Sequence, residues 1–214
     1  MPKLLWNRAP STPIATLVLA HGAGAPMDSP FMETMASLLA ESGVNVVRFE
    51  FAYMARRREE GIKAPPDRAA KLLDRFQAVM DEVRREGSTG PVWAGGKSMG
   101  GRMATMLAAH PDRVPDGCVV FGYPFHPRGK PDKTRLDHFP ALAVPVLICQ
   151  GERDPFGKPR EVAGYHLPDA VTVQWIADGD HDLTPRKRSG IDPQANLAGA
   201  ARQAADFIRG RASR

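Results

Sequence analysis

Pro91-Val92-Trp93-Ala94-Gly95-Gly96-Lys97-Ser98-Met99-Gly100-Gly101-Arg102 passes from a stretch fit for a buried strand into one fit for a helix. The run Pro91 to Gly95 reads as the strand, and Arg102 to His110, closed by Pro111, reads as the helix. Between them lies the pattern G-x-S-x-G, in which a serine sits on a turn so tight that only glycines fit beside it. Such a turn lifts the hydroxyl clear of the backbone and aims the following amide N–H groups into the same space. A weak nucleophile and a place for developing negative charge are thereby brought together, which is what acyl transfer needs.

Outward from this turn, strand-like and helix-like runs alternate, the pattern of a parallel sheet covered on both faces. Strands are predicted at Thr16–Ala20, Asn45–Phe49, Cys118–Phe121, Val146–Cys149 and Val171–Ile176, mostly as short continuous apolar runs. One helix is expected to start at Ser29-Pro30 and end at Gly43, with Phe31, Met35, Leu38 and Leu39 at helical spacing. Residues 67–86 place Ala69, Leu73, Phe76, Met80 and Val83 on one stripe. A last helix opens at Asp192-Pro193 and repeats Leu197, Ala201, Ala204 and Ile208 before Gly210. Fewer than thirty residues separate the strands ending at Phe121 and Cys149, which leaves no room for a helical cap.

A serine hydroxyl needs a base, and the base needs an orienting carboxylate. Both should lie just past the C-terminal ends of later strands. There the chain offers Gly151-Glu152-Arg153-Asp154-Pro155-Phe156-Gly157 and Asp178-Gly179-Asp180-His181-Asp182. Alone, Asp154 is most simply a turn former and His181 a surface histidine. Together, in the order Ser98, Asp154, His181 behind a double-glycine serine turn, they read as nucleophile, orienting acid and base. Asp178, Asp180 and Asp182 flank the histidine too closely to reach across its ring, and Glu152 is the nearer rival to Asp154. For the oxyanion, the Met99 N–H at the helix start is one expected donor. The other is assigned to Ala23 in the loop His21-Gly22-Ala23-Gly24-Ala25, with Gly24 or Ala25 as alternatives. His21 is expected to hold that loop, and His21, Gly22, Gly24 and Lys97 are all expected to border the substrate.

Gly96-Lys97-Ser98 imitates the end of a phosphate-binding G-x-x-x-x-G-K-[ST] loop. The first glycine would fall at position 91, which is Pro91, and the intervening residues read as strand, so a nucleotide site is not expected. Cys118 and Cys149 read as buried, inert thiols, and their spacing suggests no metal. The net charge of +5 is scattered in short groups without a basic helix or tail, which argues against nucleic acid. Many basic residues (Arg56-Arg57-Arg58, Lys130, Lys133, Arg153, Lys158, Arg186-Lys187-Arg188) fall in predicted loops after strands, where they would favour a small anionic substrate. The opening Met1 to Arg8 has no signal-peptide core, and no run reaches a membrane-spanning length. The expectation is a cytoplasmic monomer of one domain, residues 1–214, with no cofactor, metal or membrane partner.

With these residues quoted, the chain resembles the α/β-hydrolase superfamily. Within it, it is similar to the small hydrolases related to testis-expressed protein 30 and to subunit 3 of the NSL acetyltransferase complex, and distantly to dienelactone hydrolases. The carrying strings are Leu19 to Ala25, Met27 to Met32, Gly95 to Arg102, Gly151 to Gly157 and Gly179 to His181. The resemblance implies a mostly parallel α/β sheet of six to seven strands with helices on both faces and no cap domain. It also implies a serine hydrolase cleaving a small carboxylic ester or thioester. Dienelactone hydrolases use a cysteine nucleophile, and position 98 is Ser, so that activity does not carry over. The same resemblance supplies the alternative of a scaffold that keeps the fold without catalysis.

Overall fold

The structure, a computed structural model, describes residues 3–86, 90–112 and 115–212. Residues 1 and 2 of the opening segment lie outside the described residues. One seven-stranded sheet organises the chain, in the order β1-β3-β2-β4-β5-β6-β7. The strands are β1 (Leu5–Asn7), β2 (Ala15–Ala20), β3 (Val44–Phe49), β4 (Val92–Lys97), β5 (Cys118–Phe121), β6 (Val146–Gly151) and β7 (Val171–Ile176). All neighbours pair in parallel except β1, which runs antiparallel to β3. The helices are α1 (Pro30–Glu41), α2 (Ala52–Glu60), α3 (Ala69–Arg85), α4 (Met99–Ala108), the short α5 (Pro159–Val162) and α6 (Pro193–Ala212).

The apolar strands are continuous because each face of the sheet is covered, and alternate residues serve opposite faces. Leu17 and Leu19 pack with α1 and α6 residues such as Met35, Leu39, Ala204 and Ile208. Val18 and Ala20 face the other way, toward Phe76 and Met80 of α3 and Leu107 of α4. Each large side chain removed from water in this way contributes about 1.5–3 kcal/mol before entropy is subtracted. The layers hold the sheet flat-on, so its C-terminal edge, where β4, β6 and β7 end, is fixed by the core.

Several boundaries differ from expectation. β4 runs to Lys97 and α4 begins at Met99, so Ser98 alone forms the turn. The stripe of α3 is centred on Leu72, Phe76, Val79, Met80 and Val83, with Leu73 at its margin. Ser29 caps α1 without a side-chain hydrogen bond, and α6 continues through Gly210. Arg56-Arg57-Arg58 belongs to α2 rather than to a loop. Between β5 and β6, residues 122–145 contain only a single 3₁₀ turn at Phe139–Ala141, so the described residues carry no cap domain. Among the described residues, no helix is long and apolar enough to cross a membrane.

Candidate active site

Ser98 has φ 53° and ψ −114°, a backbone conformation that side chains other than glycine rarely adopt. The strand and helix on either side of it hold that conformation by packing closely. A Cβ on Gly96 would lie 2.6 Å from the Gly101 nitrogen, and one on Gly100 would lie 2.6 Å from the His21 carbonyl oxygen. Glycine at these two positions is thus a steric condition of the turn. The Ser98 N–H donates to the Phe121 carbonyl at 3.1 Å, which continues the β4–β5 ladder into the turn.

The structure brings Ser98, His181 and Asp154 together. His181 Nε2 is 2.8 Å from Ser98 Oγ, and His181 Nδ1 is 2.7 Å from Asp154 Oδ2. Asp154 follows β6, is fully buried, and accepts from the Phe156 N–H through Oδ1 at 2.9 Å. Gln150, at the end of β6, donates to Asp154 Oδ2 at 2.9 Å and accepts from the Tyr123 N–H at 2.7 Å. With Asp154 accepting at Nδ1, the ring presents its Nε2 lone pair to the serine hydroxyl. Phe156 lies against the imidazole, ring centroids 4.6 Å apart. Gln150 and Phe156 escaped the sequence reading, since only the folded sheet brings them to Asp154 and His181.

The rival acids are engaged elsewhere. Glu152 accepts from the Asp178 N–H at 2.9 Å. Asp178 is paired with Arg153 and Arg186, and the latter pair holds its carboxyl low, at about 2. Asp180 Oδ1 accepts from the N–H groups of Asp182 and Thr184, which shapes the loop carrying His181. Asp182 meets Lys97 at 3.1 Å.

Lys97 is buried, and its ammonium donates to the His181 carbonyl at 2.7 Å and lies 5.3 Å from the Phe31 ring centre. Burial pushes its pKa down, while Asp182 opposes the shift. This cation therefore ties the strand before Ser98 to the loop bearing His181. Part of the charge at the expected basic rim is taken up similarly within the protein. Arg56 pairs with Asp67, Arg58 with Glu50 and Asp28, and Arg153 and Arg186 with Asp178.

A cleft of about 520 Å³ opens over Ser98 and His181. Its walls come from Gly22–Ala25, from Ser29–Met32 at the start of α1, and from Lys97, Phe156 and Asp182. Gly22, Ala23, Gly24 and Lys97 border the cleft. His21 does not. It is fully buried, its Nδ1 is 2.7 Å from the Gly22 carbonyl, and its Nε2 receives the Phe51 N–H at 3.2 Å. Both ring nitrogens are occupied, so His21 is withdrawn from any substrate, and burial lowers its pKa. Cys118 and Cys149 are free and buried, which pushes the Cys149 thiol up to about 12. Among the described residues, no group of three or more His, Cys, Asp or Glu could hold a metal ion.

The chain matches the family described as alpha/beta hydrolase domain over residues 13–209. It belongs to the α/β-hydrolase family. Solved structures agree in fold. A serine hydrolase without a lid from Xanthomonas campestris is 21% identical, with a TM-score of 0.69, covering 96% of this chain and 94% of that one. Dienelactone hydrolase from Anabaena variabilis is 20% identical, with a TM-score of 0.71, covering 98% and 91%. Est1E from Butyrivibrio proteoclasticus, solved with ferulic acid bound, is 15% identical, with a TM-score of 0.73, covering 100% and 96%.

Proposed function

We propose that this α/β-hydrolase is a serine hydrolase of the carboxylesterase or thioesterase type, working as a single-domain monomer without metal or cofactor. The observation that carries the reading is the unbroken chain from Ser98 Oγ through His181 to buried Asp154, at 2.8 and 2.7 Å, on a strained turn beneath an open cleft. In this reading Ser98 attacks the carbonyl carbon as His181 takes its proton, and Asp154 fixes the imidazole and stabilises its charged form. The oxyanion is received by the N–H groups of Met99 and Ala23. His181 then protonates the leaving alcohol or thiol. Water, activated by His181, attacks the acyl-enzyme and releases the acid.

The walls of the cleft favour a small substrate with an apolar acyl part, since Pro30, Phe31, Met32 and Phe156 contribute much of the lining. Kinship with the hydrolases related to testis-expressed protein 30 belongs to the same proposal and rests on the motif strings around Ser98, Asp154 and His181. The test is labelling by a fluorophosphonate probe, alongside turnover of short p-nitrophenyl esters and acyl-CoA thioesters. Ser98→Ala should abolish labelling and lower turnover by several orders of magnitude while melting like the wild type. A wild type that neither labels nor turns over any of these would favour the scaffold reading.

A further inference from the structure

Three successive carbonyls of the loop Gly22–Ala25, those of Gly22, Ala23 and Gly24, are each held by a side chain. His21 Nε2 receives the Phe51 N–H, so Nδ1 carries the ring proton and donates to the Gly22 carbonyl at 2.7 Å. Tyr53 Oη donates to the Ala23 carbonyl at 2.9 Å. Arg57 Nη1 donates to the Gly24 carbonyl at 3.5 Å. Tyr53 and Arg57 stand four residues apart on α2, and that spacing puts both on one face of the helix. The Tyr53 ring is almost fully buried beside His21, centroids 5.9 Å apart, so its hydroxyl has little freedom to turn elsewhere.

Across a trans peptide, the C=O of one residue and the N–H of the next point in opposite directions. No cis peptide occurs among the described residues. A carbonyl drawn back toward α2 therefore turns the next N–H away from α2, and the other side of this loop is the cleft wall above Ser98. We propose that α2 is a clasp: Tyr53, assisted by Arg57, holds the loop so that the N–H groups of residues 23 to 25 converge on the oxyanion. Tyr53 is thus a positioning residue: its bond to the Ala23 carbonyl sets the Gly24 N–H, and its hydroxyl, 3.5 Å from the Gly22 carbonyl, helps His21 to set the Ala23 N–H. The proposal rests on the reading of Ser98 as the nucleophile, and it gives α2 a task beyond packing.

Tyr53→Phe removes one hydroxyl and keeps the ring. A full oxyanion donor is worth 10²–10³-fold in kcat, and loosening one should cost less, about tenfold. The expected result is a kcat about tenfold lower for a short p-nitrophenyl ester, with KM unchanged. Affinity for a small alkyl boronic acid, whose adduct on Ser98 mimics the tetrahedral state, should fall by the same factor. A purely structural role would not make those two losses equal while sparing KM. Should Tyr53→Phe fail to fold, Arg57→Met on the half-buried face of α2 should show the same split with a smaller loss. Unchanged kcat and boronate affinity in the folded variant would overturn the clasp, and so would a change in KM alone. If Ser98→Ala is inactive while Tyr53→Phe behaves as wild type, only the clasp fails. If Ser98→Ala retains activity, or the wild type neither turns over esters nor binds the boronate, the hydrolase reading fails and the clasp with it.

Discussion

Gly122 gives the sharpest test of how tightly His181 is seated. It follows β5 with φ +67°, and a Cβ built there would lie 2.7 Å from the His181 carbonyl oxygen and 3.2 Å from its Nδ1. Gly122→Ala therefore imposes two separable penalties. The first is backbone strain of about 1–2 kcal/mol in the left-handed region, which for a chain of this size lowers Tm by roughly 3–6 °C. The second is displacement. The methyl falls short of ordinary contact with the carbonyl by about 0.7 Å, and the His181 backbone must yield by something of that order. Since a misplacement near 1 Å costs about 100-fold, kcat should fall roughly 30-fold. Gly129 is the control, because its φ is +72° and a Cβ there meets nothing within 4 Å. Gly129→Ala should lose comparable stability and no activity. The assay is ester turnover beside thermal melting for both variants. Full activity in Gly122→Ala, or equal activity losses in the two variants, would refute the claim that His181 is held by this contact.

Two further outcomes follow from buried polar groups. Gln150→Leu should strand the buried Tyr123 N–H and remove a donor from Asp154, costing about 1–3 kcal/mol in urea unfolding and lowering kcat. A variant as stable as the wild type would show that Gln150 braces nothing. His138, 2.9 Å from Thr105 Oγ1, is pushed down from 6.5 to about 4, first by burial and then by Arg102. The unfolded chain therefore takes up a proton there before the folded one does, so stability is full above about pH 6.5 and is lost as pH falls toward 4. Melting scans between pH 7 and 4.5 should show a smaller decline in His138→Gln than in the wild type, and parallel declines would contradict this.

The parts of the fold that were legible in the chain are those specified locally. Six of the seven strands were marked in the chain, most of them by nearly continuous apolar runs, because burial on both faces of the sheet leaves few polar positions to confuse the period; the edge strand β7, with Thr172 and Gln174, is the least buried of them. Ser98, Asp154 and His181 were legible because each stands where a strand ends, and glycine spacing exposed the turn. The missed elements are stabilised by partners distant in sequence. β1 is only three residues long and exists through pairing with β3. α2 opens without a side-chain cap, and its arginine run reads as a solvated loop until Glu50, Asp28 and Asp67 are brought alongside. β4 outran its expected end at Gly95 because Gly96, which read as a turn residue, lets neighbouring chain pass close while still pairing in the sheet. His21 was expected both to hold its loop and to border the substrate; it bonds the Gly22 carbonyl of that loop, but nothing in its neighbours announces that the Phe51 N–H claims its outer nitrogen and keeps it from the cleft.

Ser98, Asp154 and His181 are carried past the ends of β4, β6 and β7, three strands of a single hydrogen-bonded layer. Their spacing is consequently inherited from inter-strand distances that every backbone bond in the layer helps to maintain. In the folded chain the three groups already meet, His181 standing 2.8 Å from Ser98 Oγ and 2.7 Å from Asp154 Oδ2. The arrangement of these three side chains is thereby tied to the integrity of the whole sheet, so that loosening any of the strands beneath them would be felt at all three.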